Sequence, residues 1–171
     1  DEIVIPEYER VFSYQIIEAF MVLANETVAE YVQAMDAPFI YRIHEKPAEE
    51  KATSFRAFAQ TLGLNARFNA TDVKPYDYQN LLNKAKDLPA YSVLNRVMLR
   101  SMQKARYSPE NVGHFGLASD CYCHFTSPIR RYPDLCIHRV IKSILHGEYE
   151  SLQQRYANFV ERAAAQSSEK E

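Results

Sequence analysis

The chain has 171 residues, 47% of them hydrophobic and 25% charged, proportions that predict one folded domain of ordinary size and exclude an intrinsically disordered chain. Its formal net charge of -2 gives no overall attraction to nucleic acid, so any site for an anion must be local. Three cysteines, an odd number, argue against a disulfide framework and favour a reducing compartment, so we predict a cytoplasmic protein.

Helices dominate the elements that the sequence pattern predicts. Only four glycines are present, which disfavours a hairpin-rich β architecture, and apolar residues recur at three- and four-residue spacing. In chain order, the predicted helices cover residues 7–35, 47–63, 75–89, 90–104, 128–145 and 151–171. The second should hold Pro47 in its first turn and end at Gly63. Strands are predicted at residues 38–43 and, once or twice, around 108–116. The predicted fold is therefore α+β and predominantly helical.

The two ends of the sequence suggest a piece of a larger protein. The last segment, SLQQRYANFVERAAAQSSEKE, contains no residue that would close a helix, and the apolar EIVI near the start has no partner strand nearby. No apolar run approaches the roughly 20 residues that span a bilayer, and the acidic opening DEIVIPEYER does not resemble a signal peptide. We therefore expect a soluble chain that neither enters a membrane nor is exported.

The segment HFTSPIRRYPDLCIHR, residues 124–139, places two adjacent arginines at the predicted start of a helix. With Ser127 as N-cap and Pro128 as the first helical residue, Arg130 and Arg131 fall in the first turn, beside free backbone amides. Cations are disfavoured at this positive end of a helix unless an anion offsets them. A phosphodiester fits, because a guanidinium group matches two of its oxygens with paired hydrogen bonds.

A structural ion pair is the alternative for the same arginines. Either side chain can reach a carboxylate such as Asp134 or Glu110, and pairs at three- or four-residue spacing are common on helix surfaces. One arginine can also be structural while the other binds an anion.

A zinc site is a weaker alternative for this region. The nearby thiols and imidazoles belong to residue types that zinc prefers, namely Cys121, Cys123, His124, Cys136 and His138. However, two helical residues two positions apart point in nearly opposite directions, and one short C-x-C lacks a matching second pair. The three cysteines are better interpreted as small buried hydrophobic residues.

Two polar residues share one face of the first predicted helix, among apolar neighbours. Glu18 and Asn25 are seven positions apart, so their side chains project in the same direction. A carboxylate and an amide in apolar surroundings need partners, which range from a backbone group to a sugar hydroxyl or a hydrated metal ion.

Four blocks, in order, resemble the catalytic domain of the ribonuclease II / ribonuclease R family, and the SPIRRYPDL block is nearer to the ribonuclease R branch. They are IIEAFMVLANETVAEYV (16–32), PFIYRIHEKP (38–47), YSPENVGHFGLASDCYCHFTSPIRRYPDLCIHRVIK (107–142) and SSEKE (167–171). The resemblance implies processive hydrolysis of single-stranded RNA from its 3′ end, with release of nucleoside 5′-monophosphates and use of magnesium.

Parts of the family pattern have no counterpart here. The aspartate-rich metal motif, Asp-x-x-Asp-x-Asp-Asp, does not occur in the sequence, and neither do the cold-shock and S1 modules. By this comparison, residues 1–171 form one partial domain, the second half of the catalytic domain. Magnesium would then belong to the full-length enzyme, none is expected bound to this fragment, and the isolated chain should not turn over RNA.

The resemblance also implies roles for individual residues. Arg130 matches the family arginine that engages the scissile phosphate, so it is the expected catalytic residue, and Arg131 adds charge for RNA binding. Glu18 matches the glutamate that holds the sugar hydroxyls of the 3′-terminal nucleotide. Three residues on one expected strand face either line the RNA channel or pack in the core: Tyr122, His124 and Thr126.

A second class of function stays open, namely a stand-alone helical module that binds RNA or another protein. In either case, surface that would normally meet the missing half of the domain could drive self-association, because large uncovered apolar patches tend to associate.

Overall fold

The computed structural model describes residues 11–171 and confirms an α+β fold that is mostly helical. Within these residues it contains six α-helices and one two-stranded sheet. In chain order they are α1 (Phe12–Ala34), β1 (Tyr41–Ile43), α2 (Glu49–Thr61), α3 (Pro75–Ala85), α4 (Tyr91–Ser101), β2 (Arg106–Ser108), α5 (Tyr132–Leu145) and α6 (Leu152–Glu169). The predicted start of the first helix, at about Glu7, and the EIVI segment lie outside the described residues.

The sheet is small and brings distant parts of the chain together. Strands β1 and β2 are antiparallel, with Arg42 opposite Tyr107. On the chain beyond β2, the carbonyl of Tyr122 accepts a hydrogen bond from the Arg42 amide at 2.9 Å. The strand predicted at 38–43 is confirmed but shorter, and β2 supplies the other. Residues 121–125 carry no strand, so the expected strand face for Tyr122 is wrong as secondary structure.

Two apolar clusters form the core of the described chain. The first packs α1, the sheet, α5 and α6 around residues such as Val32, Ile137 and Val160. The second packs α2, α3 and α4 around Phe55 and Tyr78, whose ring centroids are 4.8 Å apart. The two clusters meet where the amide of Phe115, a residue of the second, donates to the carbonyl of His44 at 2.8 Å, next to Ile43 of the first.

Helix α2 ends as the sequence predicts but starts later. Gly63 follows it with a φ of +76°, a conformation that glycine adopts without steric cost. Pro47, however, precedes the N-cap Ala48 and is not part of the first turn.

Helix α5 starts at Tyr132, four residues later than Pro128, the predicted first residue. Pro133 is the physical reason, because in a helix running from Pro128 its ring would clash with the carbonyl group of Ile129. In the structure Pro133 instead sits in the first turn of α5, where a missing N–H costs nothing. Arg130 and Arg131 therefore lie before the helix, and their predicted position in its first turn is wrong.

The N-terminal half of α1 exposes a row of large apolar side chains. Phe12, Ile17, Phe20 and Leu23 are 74%, 59%, 64% and 56% exposed. The buried residues of α1 lie in its second half and include Asn25. No helix among residues 11–171 combines the length and the apolar character needed to cross a membrane.

We expect Gly116→Ala to destabilise the junction between the two clusters. A Cβ added at Gly116 would lie 2.7 Å from Nδ1 of His44. The ring cannot turn away freely, because Nδ1 accepts from the Gly116 amide at 3.1 Å and Nε2 lies 2.9 Å from the carbonyl oxygen of Gln103. Overpacking of this kind costs about 1–3 kcal/mol, which denaturant unfolding would measure.

A double-mutant cycle with His44→Ala checks the cause. If the clash with the ring is responsible, Gly116→Ala should cost much less once the ring has been removed. An equal cost in both backgrounds would show that the clash is not the origin.

Candidate functional site

The two arginines are presented by a turn that precedes α5. The amides of Arg130 and Arg131 both donate to the carbonyl of Ser127, at 3.3 and 3.1 Å. Asp134, in the first turn of α5, closes the segment: its Oδ1 accepts from the Ser127 amide at 2.8 Å and from Nη2 of Arg131 at 2.8 Å. One carboxylate oxygen thus joins the two ends of the turn.

The structure separates the roles of the two arginines. Arg131 has a side chain that is 19% exposed, and its partner Asp134 is fully buried, so the structural ion pair holds for Arg131. Arg130 is exposed, and within residues 11–171 its guanidinium group makes no hydrogen bond or ion pair. Of the two, Arg130 is the one whose fork of donors is available to an anion.

A cavity of about 560 Å³ opens beside this turn. This size falls within the range of roughly 300–1,000 Å³ that is common for small-ligand sites. One wall carries Tyr107 and residues 130–133, and the other comes from the end of α6, with Gln166, Ser167, Lys170 and Glu171. Two segments far apart in sequence therefore face the same space.

The charges around this cavity favour an anion. Arg130 and Lys170 contribute cations from opposite walls. The carboxylate of Glu171 is taken up by Arg42, whose two terminal nitrogens bind its two oxygens, one of them at 2.9 Å. Arg42 in turn lies over the Tyr107 ring, 4.6 Å from its centroid. Because Arg42 neutralises the acidic Glu171, the lining of the cavity keeps a net positive charge.

Asn25 holds the segment that leads into the turn. Its Oδ1 accepts from the amides of Phe125 and Thr126, at 3.0 and 3.2 Å, and its Nδ2 donates to the Tyr122 hydroxyl at 3.0 Å. Asn25 is 3% exposed, so its hydrogen bonds are internal. Of the interpretations that the sequence left open for this amide, structural hydrogen bonding is the one found.

The three residues expected on one face do lie near one another, although no strand carries them. The rings of Tyr122 and His124 are 5.8 Å apart, and Nδ1 of His124 lies 3.0 Å from the Tyr107 hydroxyl. Tyr122 is 7% exposed, whereas His124 and Thr126 are half-buried. Their predicted contact with RNA stays a prediction.

Glu18 lies apart from this cavity. It is an exposed residue of α1, and among residues 11–171 it is not one of those that line the space beside Arg130. The structure therefore does not join Glu18 and Arg130 in one pocket, and the predicted role of Glu18 at the RNA 3′ end stays a prediction.

The described residues offer no ligand set for a metal ion. No group of three or more His, Cys, Asp or Glu side chains between residues 11 and 171 is arranged to hold one. The three cysteines are buried, and burial raises the pKa of the Cys121 thiol to about 11, which disfavours the thiolate that zinc needs. This donor set fits neither zinc nor magnesium.

Comparison with known proteins places the sequence in a family. The model of the RNB domain matches residues 1–147. The chain belongs to the RNB-domain family. Ribonuclease R 1 of Lactococcus lactis is 44% identical over 158 residues, which are 92% of this chain and 19% of that protein. The chain thus spans about a fifth of the length of the curated relatives it matches, and the resemblance found in the sequence blocks is confirmed.

Two solved structures share the fold of this RNB-family chain. Mycoplasma genitalium RNase R, in complex with ribose-methylated single-stranded RNA, matches with a TM-score of 0.82 at 34% identity, over 92% of this chain and 25% of that one. Yeast Ssd1, a pseudonuclease, matches with a TM-score of 0.70 at 28% identity, over 94% of this chain and 21% of that one.

Sequence reasoning did not single out several residues of the site. Gln166, in α6, and Lys170, directly after it, lie more than thirty positions beyond the turn, and the packing of α6 against α5 and β2 brings them there. Asp134 was one of two candidate partners for the arginines, and nothing in the pattern indicated that it also binds the Ser127 amide.

We expect acid to destabilise this region through its buried histidines. Burial lowers the pKa of His114 from 6.5 to about 4, assisted by His44 and Arg42, and burial lowers that of His124 to about 3. The unfolded chain therefore takes up protons first as pH falls. The stability from the neutral rings is complete above pH 6.5 and is lost progressively as the pH falls towards about 4 for His114 and about 3 for His124, which melting temperatures at stepped pH would show.

His114→Asn tests this origin. Nδ1 of His114 accepts from the Leu117 amide at 3.2 Å, and an asparagine oxygen can replace it without titrating. We expect a shallower loss of melting temperature between pH 6.5 and 4. The exposed His146 supplies the control, since His146→Asn should leave the slope as it is. Equal slopes in all three proteins would contradict this prediction.

Proposed function

We propose that this RNB-family chain is part of a processive 3′-to-5′ exoribonuclease that hydrolyses single-stranded RNA to nucleoside 5′-monophosphates. Support comes from the relatives named ribonuclease R and from an RNase R with a similar fold bound to single-stranded RNA. In this proposal the chain contributes contacts to the phosphate backbone and to the 3′ end. The place of action is predicted to be the cytoplasm.

The observation that carries the proposal is the exposed Arg130 at a cavity of positive balance. A guanidinium group with a free fork matches two phosphate oxygens, and it can follow the charge that develops on them during hydrolysis. Arg131, whose Nη2 is held by Asp134, contributes charge rather than a fork. Lys170 supplies a further cation on the opposite wall.

The remaining contacts are proposed from the family likeness. Glu18 would bind the sugar hydroxyls of the terminal nucleotide, and the half-buried His124 and Thr126 would contact RNA along the channel wall. Tyr122, which is buried, would contribute through the ring that it packs beside His124.

Magnesium belongs to the proposal only for the whole enzyme. The family's aspartate-rich metal motif is not part of this sequence, so we propose that the isolated chain does not hydrolyse RNA. No step of the reaction is assigned to a metal ion on the described residues, because they do not form a site for one.

Arg130→Ala in the longer protein that carries this chain tests the catalytic role. Removing one donor that stabilises a developing oxyanion typically lowers kcat by about 100- to 1,000-fold. We expect a loss of this size in single-turnover RNA hydrolysis, with a much smaller change in RNA affinity. Arg139→Ala removes an exposed arginine of α5 outside the cavity lining and serves as the control. An unchanged kcat in Arg130→Ala would refute the role.

A stand-alone module that binds RNA or a protein is the second candidate, and the match to a pseudonuclease shows that a similar fold occurs in a protein not named as an active nuclease. A filter-binding titration of the isolated chain with short single-stranded RNA, at two salt concentrations, separates the two. Tight binding that weakens steeply with salt supports the module, because released counterions drive such binding. Negligible binding supports a part that works only within the longer enzyme.

Self-association remains a proposal, and α1 supplies the surface for it. We expect the isolated chain to associate through the exposed apolar row that includes Phe12, Ile17, Phe20 and Leu23. Sedimentation velocity should show concentration-dependent association in the wild type and a monomer in Phe20→Lys. Tyr76→Lys, at a 70% exposed aromatic residue of α3, is the matched control. A monomeric wild type at all concentrations would contradict the expectation.

A further inference from the structure

Asp134 is a carboxylate without any exposed surface, in the first turn of α5. Among the residues that the structure describes, only its Oδ1 has hydrogen-bond partners, and that atom accepts both from the Ser127 amide and from Nη2 of Arg131, each at 2.8 Å. These donors stand at the two ends of the turn that carries Arg130. The carboxylate therefore fixes both ends of the turn through hydrogen bonds.

The ion pair of Asp134 and Arg131 leaves some of its buried polar atoms without hydrogen bonds. Asp134 Oδ2, Arg131 Nε and Thr126 Oγ1 are all buried and lack a hydrogen-bond partner within the part of the chain that the structure describes. A buried ion pair with unsatisfied atoms is a costly way to stabilise a core, and apolar residues of similar volume often serve stability as well or better. Stability alone does not account for this carboxylate.

The consequence of the contact is seen on the outer side of the turn. Ile129 is fully exposed at 101%, and Arg130 next to it lines the cavity. Because Asp134 offsets part of the charge of Arg131, it reduces the repulsion between the two adjacent guanidinium groups. One contact thus sets the direction of the turn and leaves Arg130 as the arginine with its donors available.

We propose that Asp134 is a positioning residue that acts through Arg130, by holding the 127–131 turn and its arginine at the cavity. The inference rests on the proposed role of Arg130 and adds to it a residue that does not itself touch RNA. Misplacement of a catalytic group by about 1 Å can cost about 100-fold in rate, so loss of the Asp134 contact should appear in kcat.

The test is a double-mutant cycle in the longer protein, with Asp134→Asn and Arg130→Ala. The amide keeps an oxygen for the Ser127 amide and removes the charge that compensates Arg131. We expect Asp134→Asn to lower kcat by about 10- to 100-fold with RNA affinity changed less. The double variant should fall within about threefold of Arg130→Ala, because a residue that acts through Arg130 has nothing further to remove.

A second variant covers the case in which Asp134→Asn does not fold. Arg131→Gln combined with Asp134→Asn replaces the ion pair by a neutral amide pair, which keeps hydrogen bonds to the turn and leaves no lone charge buried. Its melting temperature should recover. The same cycle with Arg130→Ala is then run in this background, and the same criterion of non-additive losses applies.

Each outcome of these double-mutant cycles either supports or overturns the inference. Non-additive losses in a folded protein support the inference. Additive losses, or wild-type kcat in the folded Asp134 variant, overturn it while the role of Arg130 stands. An unaffected kcat in Arg130→Ala alone overturns the proposed function and, with it, this inference.

Discussion

A carboxylate can remain in a protein interior only if donors compensate for the water that it loses, and for Asp134 they come from both ends of one turn. This requirement links the start of α5 to the shape of the cavity. Pro133 prevents the helix from starting earlier, so residues 127–131 must leave it as a separate turn. Asp134 then determines where that turn lies.

Asn25 fixes the segment before the turn through hydrogen bonds, just as Asp134 fixes the turn. Residues 121–125 belong to no strand, yet the buried side chain of Asn25 accepts from the amides of Phe125 and Thr126 and donates to the Tyr122 hydroxyl. Two polar side chains from two helices thus replace a sheet as the scaffold of this wall. A loop fixed in this way can present side chains without the alternation that a strand imposes.

The sequence predicted the helices well because their apolar periodicity is strong, and it predicted Gly63 as a stop. It misplaced the start of α5, since both Pro128 and Pro133 suit the first turn and only the clash with Ile129 favours the second. It left the arginines unresolved because the choice depends on which side chain reaches Asp134. The wall that holds Lys170 depends on tertiary packing, which local patterns do not encode.

The fold alone does not separate a nuclease from a protein that has lost the activity, since both an RNase R and a pseudonuclease match this chain with TM-scores of 0.82 and 0.70. The distinction must lie in individual groups. Replacing a buried, partly unsatisfied ion pair with apolar side chains is often neutral or stabilising, so such a pair adds little to the fold itself. The buried pair of Asp134 and Arg131, with its unsatisfied atoms, is one such group, and it lies next to the arginine whose donors are available.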